Sequence, residues 1–178
     1  CIRDRYCQLH SKDYHEAKDG SSWNKNEFYL HPEKYNSTFL PYTKVCDLLI
    51  TGHFWSPGCP VLFTKKDIKS SDFRISVIAD ISCDIDGSVP STIRASSISN
   101  PFFGYNPVTE KEDIAFGKDT ITVMAVDNLP CELPRDASED FGKELTERVM
   151  PYLLGEDKEG MIERASIAKN GKLNPAFE

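Results

Sequence analysis

The chain has 178 residues, a length for one domain or one domain with an appendage. Lys and Arg number 21 against 28 Asp and Glu, a net charge of −7, which excludes a general nucleic-acid backbone binder with a basic face. Apolar residues make up 39%, too rich for a disordered chain, and no apolar run approaches the ~20 residues of a membrane-spanning helix.

In chain order, Tyr6-Cys7-Gln8-Leu9 reads as a short strand. Glu27 to Tyr35 reads as a short helix that Pro32 limits. Cys46-Asp47-Leu48-Leu49-Ile50-Thr51 is a compact apolar run that predicts a buried strand, stopped at Gly52. His53 to Gly58 follows as a loop, and Thr64 N-caps a short helix to Ile68. Arg74 to Ile81 is the clearest strand, β-branched and nearly continuous, as for a central parallel strand covered on both faces. Ser91 to Pro107 is rich in Ser, Asn and Pro and reads as loop. Thr120 to Val126 is a third strand, stopped by Asp127-Asn128-Leu129-Pro130. Then comes the longest helix. Ala137, Phe141, Leu145, Val149 and Leu153 recur every fourth residue as one apolar stripe, with Pro134 in the first turn, a kink at Pro151 and a stop at Gly155. Buried strands joined by long connections predict an α/β fold.

Six cysteines form no C-x-x-C pair and read as reduced thiols of a cytoplasmic protein. The four histidines have no zinc spacing with them. Asp80, Ser82, Asp84, Asp86 and Gly87 faintly imitate a calcium loop, but the twelfth position from Ser82 is Ile93, not the glutamate such a loop needs. Asn36-Ser37-Thr38 is a glycosylation pattern by chance match. Neither a G-x-G-x-x-G nor a phosphate-binding G-x-x-x-x-G-K-[ST] loop is present. In open α/β sheets ligands bind beyond the carboxyl ends of the strands. Gly52-His53-Phe54-Trp55, Asp84-Ile85-Asp86-Gly87 and Val126-Asp127-Asn128-Leu129 are therefore candidates for one ligand crevice, with ordinary turns as the alternative.

Ala79-Asp80-Ile81-Ser82-Cys83-Asp84-Ile85-Asp86-Gly87-Ser88, Asn100-Pro101-Phe102-Phe103-Gly104-Tyr105, and Val126 through Pro130 with Leu133 through Glu139 resemble the lysine-ketoglutarate reductase and lysine-forming saccharopine dehydrogenase family. That family is a branch of the alanine dehydrogenase and transhydrogenase superfamily. The resemblance extends from about residue 6 to residue 178, and the run Val126 to Glu139 is its most specific part. It implies the second half of a Rossmann-like parallel-sheet domain plus a C-terminal helix returning toward a first domain that lies upstream. The expected division is a non-native leader at 1–5, which reads like a translated sequencing adaptor, a partial dinucleotide-binding domain at 6–133, and a helix and tail at 134–178 that pack toward the catalytic domain.

The implied cofactor is NAD or NADP. The implied substrates are small molecules, saccharopine or lysine with 2-oxoglutarate, with no nucleic acid or membrane partner and with the N-terminal half of the same enzyme as the missing part. Gly52, His53, Phe54, Trp55, Asp84, Val126, Asp127, Asn128 and Leu129 are implied to line the cofactor, with Asp84 and Asp127 as assisting residues at the reacting end. The family's Lys/His acid–base pair lies upstream, so no lysine or histidine here inherits it. Alanine dehydrogenase, which shares Asp84, is the enzyme alternative. A non-catalytic nucleotide-binding or interaction module is the other.

Overall fold

The computed structural model describes residues 5–177. The expected leader falls outside those residues except for Arg5. The chain forms two compact units, Cys1–Leu129 and Pro130–Glu178.

The first unit opens without the strand expected at 6–9. Its first regular elements are β1 (His15–Ala17), α1 (Lys25–Leu30) and β2 (Tyr35–Ser37), with β1 and β2 paired antiparallel. Helix α1 starts where the Asn24 side chain accepts the Glu27 N–H, and it ends before Pro32. Tyr35, expected at the end of that helix, instead begins β2.

The main sheet has five strands: β3 (Leu48–Thr51), β4 (Val77–Asp80), β5 (Phe102–Asn106), β6 (Lys111–Asp113) and β7 (Ile121–Met124). Their spatial order is β3-β4-β7-β5-β6. The pairs β3–β4 and β4–β7 are parallel, whereas β5 runs antiparallel to both β7 and β6. The α/β reading holds, and the sheet is mixed rather than wholly parallel. Strand β5 lies within Ser91–Pro107, where a loop was expected. Phe103 and Tyr105 are buried on either side of Gly104, and a Cβ on Gly104 would collide with the Ile114 carbonyl.

Residues of one face align across the sheet. Leu49, Ile78, Val123 and Phe103 are register neighbours, and the last three are buried. Phe63, Ile68, Ile75 and Phe39 complete that core, carried by α2 (Leu40–Thr43), α3 (Lys65–Ile68) and the loops around them. Thr64 caps α3 as expected, in a capping box with Asp67.

The opposite face is bare at its β3 side. Leu48 is 54% and Ile50 62% exposed, so β3 is not the buried strand its composition predicts, and β4 is not covered equally on both faces. A run of apolar residues specifies a strand with two apolar faces, not the element that covers each face.

The second unit contains α4 (Pro134–Glu144), a π-helical turn at Leu145–Val149, and α5 (Met150–Leu154) in one continuous run. The Met150 N–H donates to the Leu145 carbonyl, one residue further back than in an α-helix. Pro151 explains the wider turn, because its ring has no N–H and would clash with the carbonyl four residues earlier. Gly155 ends the run, where a Cβ would stand 2.7 Å from the Pro151 carbonyl oxygen. Helix α6 (Met161–Ala165) and the two-residue strands β8 (Ala168–Lys169) and β9 (Lys172–Leu173) follow. No described residue of this unit is fully buried, and the predicted stripe is open, with Phe141 68% exposed.

Candidate functional site

Strands β3, β4 and β7 are adjacent and parallel, so their carboxyl ends share one edge of the sheet. The three candidate segments leave from that edge: Gly52–Trp55 after Thr51, Ile81–Gly87 after Asp80, and Ala125–Leu129 after Met124. The structure brings them together. The His53 ring lies within electrostatic range of Asp80 and Asp84, and the Cys83 thiol within range of Asp80, Asp84 and Asp127.

Each candidate residue has a distinct setting. Gly52 is exposed, and a Cβ there would meet nothing within 4 Å, so its backbone faces open space. His53 is half-buried. Burial pushes its pKa below the ordinary imidazole value, against the opposing pull of Asp80 and Asp84. Its ring stands edge-on to Tyr14, centroids 6.4 Å apart, and its Nε2 is buried with no hydrogen-bond partner among the described residues. Trp55 is half-buried too, and its indole Nε1–H is likewise buried and unpartnered. Phe54 is exposed, 6.0 Å from the Tyr29 ring.

Asp84 is half-buried and opens a tight turn in which the Gly87 N–H donates to its carbonyl at 3.0 Å. A Cβ on Gly87 would lie 2.5 Å from the Asp84 Cβ, so only glycine allows this turn to close. Val126 is buried, which leaves its backbone rather than its side chain at the edge. Asp127 and Asn128 are exposed and Leu129 half-buried.

Burial first, then the carboxylates of Asp80, Asp127 and Asp84, push the Cys83 thiol pKa above its ordinary value, away from the reactive thiolate.

Four further residues of this edge, Asp80, Thr51, Thr92 and Ser96, were not among the candidate site residues. Asp80 is buried. Its Oδ1 accepts from the Thr51 hydroxyl at 2.8 Å and the Cys83 N–H at 3.4 Å, and its Oδ2 accepts from the Thr92 hydroxyl at 2.6 Å. Ser96 donates its N–H to the Ala125 carbonyl at 2.8 Å, and its hydroxyl accepts from the Ala125 N–H at 2.9 Å, which fixes the start of the Asp127 segment. One signal was available. A carboxylate inside a β-branched run must find donors if it is buried. Its partners Thr51 and Thr92 lie 29 and 12 residues away, and no spacing rule connects them.

The sheet is an α/β sheet of the open class, and the loops at the carboxyl ends of its parallel strands carry buried polar atoms without partners among the described residues. No family model matches the chain. Similarity to curated proteins is more specific. The chain is 35% identical to the alpha-aminoadipic semialdehyde synthase of Arabidopsis thaliana, over 97% of its own length and 17% of that protein's. It is 28% identical to the mitochondrial alpha-aminoadipic semialdehyde synthases of Mus musculus and Rattus norvegicus, over 99% of its length and 22% of theirs. The chain is thus homologous to one segment of these enzymes, as its motifs implied, and it spans about a fifth of the relatives' length. The two rodent proteins are named as mitochondrial, which departs from the cytoplasmic location expected from the thiols. Among the described residues no helix is long and apolar enough to cross a membrane.

Proposed function

We propose that this chain is the later part of the dinucleotide-binding domain of an NAD(P)-dependent oxidoreductase that forms or cleaves saccharopine. The convergence of the three strand-end segments on one sheet edge carries this reading. Two of the segments that carry the resemblance, Ala79–Ser88 and Val126–Pro130, meet there with the loop of His53. The residues suit a dinucleotide. Gly52 leaves open space beside the backbone, and Trp55 Nε1–H and His53 Nε2 are buried polar atoms with no hydrogen-bond partner among the described residues, the kind of group a bound ligand would satisfy after a small side-chain shift. When bound, NAD(P)H supplies the hydride that reduces the imine between a lysine ε-amine and 2-oxoglutarate. The chain's residues orient the reactants: the Val126–Leu129 segment flanks the nicotinamide end, and Asp84 and Asp127 set its electrostatics. Residues 134–178 form the helix and tail that return toward the upstream domain.

The bare face of β3 supports the larger assembly, since a parallel sheet is normally covered on both sides. So does the absence of a glycine-rich phosphate loop. The test is NAD(P)H absorbance with the full-length protein, supplied separately with saccharopine and with alanine. Turnover on saccharopine is expected, and running both dinucleotides assigns the cofactor. Turnover on alanine alone moves the protein to the alanine dehydrogenase branch. Tight dinucleotide binding by this chain in isolation, with no turnover in any longer form, establishes a stand-alone binding module instead.

A further inference from the structure

We propose that Asp80 is a positioning residue, whose buried carboxylate locks the Gly52–Trp55 and Cys83–Gly87 loops into register at the carboxyl edge of the sheet. The inference rests on the dinucleotide reading for what the loops do, but not for how they are held.

Asp80 ends the central strand β4 and is 1% exposed. A carboxylate there must be fully satisfied by donors. Three donors come from three separate stretches of chain: Thr51 at the end of β3, Cys83 in the turn after β4, and Thr92 beyond that turn. A carboxylate only accepts, so both threonine hydroxyls are committed to donating toward it, and neither remains to donate to a ligand. With both oxygens engaged, Asp80 is built to hold rather than to react.

Each donor passes the restraint on to a candidate loop. Thr51 immediately precedes Gly52, and its carbonyl accepts the Ile81 N–H at 2.8 Å. The Ser82 hydroxyl then donates to the His53 carbonyl at 3.1 Å, tying the two loops together. Thr92 also accepts the Asp86 N–H on its carbonyl at 3.4 Å. Within that turn Cys83 and Asp86 both have left-handed backbones, with φ of 55° and 54°. Non-glycine residues adopt that conformation only where the surroundings impose it. The restraint on Asp84, which lies between Cys83 and Asp86, comes from Asp80 on one side and Thr92 on the other.

The test compares Thr92→Val with Thr92→Ser in the full-length protein. Valine keeps the volume and loses the hydroxyl, whereas serine keeps the hydroxyl and loses the methyl. Thr92→Val is expected to speed amide exchange across Cys83–Gly87 by about tenfold, while Val123 in the sheet core keeps its protection. It is expected to lower kcat by about tenfold and to change the dinucleotide KM by less than about threefold. Thr92→Ser restores both readouts. Equal behaviour of the two variants overturns the inference, as does exchange in Thr92→Val that stays at the wild-type rate. If Thr92→Val does not fold, Thr51→Val and Thr51→Ser form the same contrast with the other hydroxyl, and the same outcomes decide. The exchange arm needs no substrate. It therefore judges Asp80 even where the wild-type protein turns over neither saccharopine nor alanine, the result that overturns the proposed function.

Discussion

Asp127 stands exposed one residue beyond the buried Val126, on a segment anchored through Ala125 to Ser96. Its side chain contributes nothing to the core, so Asp127→Ala is expected to move the melting temperature by less than about 3 °C. The same change is expected to lower turnover of the full-length enzyme by about tenfold or more. Unchanged turnover removes Asp127 from the site. His15 and His53 set a second, separate expectation. Burial holds both below the ordinary imidazole pKa, with the His15 Nδ1–H donating to the Ser11 carbonyl, 2.9 Å away. The unfolded chain then binds protons more readily than the folded one as pH drops through about 6.5. Stability is complete above that value and is lost below it, until the folded-state pKa is passed. A melting temperature that stays level from pH 7 to pH 5 contradicts this. At this scale the sequence made His53, Asp84 and Asp127 visible because each follows a strand-ending signal. Asp80 was visible in a motif but its role was not, and Thr92 and Ser96 stayed hidden, because these roles exist only through partners brought near by folding.

Strand β3 shows what periodicity can and cannot tell. The apolar run Leu48-Leu49-Ile50 correctly marks a strand, yet only Leu49 packs against the core. Ile50→Lys therefore distinguishes an open face from a covered one. In the isolated chain it is expected to change unfolding free energy in urea by less than about 0.5 kcal/mol. In the full-length protein, where the face is proposed to be covered, the expected loss is about 2 kcal/mol or more. Equal small effects in both mean that the face is open in both. Strand β5 was missed for the converse reason. Its flanks are Ser-, Asn- and Pro-rich, and Gly104 interrupts it, although Phe103 and Tyr105 carry the aromatic alternation of a strand. The long helix was legible from its stripe, and Pro151 marked its irregularity. The π turn itself was not legible, because proline excludes the α-helical bond without specifying what replaces it.

Over the whole molecule, burial is concentrated in the first unit. Ile78, Val89, Tyr105, Val123 and Ala125 are sealed there, while the second unit has no fully buried described residue. Amide exchange in the isolated chain is expected to be slow in β4 and β7 and fast throughout α4 and α5. The melting temperature of the first unit is expected within or below the usual mesophilic range of about 45–65 °C. Strong protection of α4, or a single transition well above that range, contradicts the reading. The α/β class was legible because three β-branched runs are separated by connections too long for hairpins. The mixed topology was not, since strand direction depends on β5, the strand the sequence concealed.

The two sides of the main sheet end in opposite chemistry. On one side the antiparallel strand β6 presents Lys111, Glu112 and Asp113, all exposed. On the other, β3 presents Leu48 and Ile50. Charged short strands discourage further pairing, and apolar ones invite it. The sheet is therefore a one-way surface. A further strand, whether from a longer polypeptide or from a neighbouring copy at high concentration, is favoured beside β3 and disfavoured beside β6.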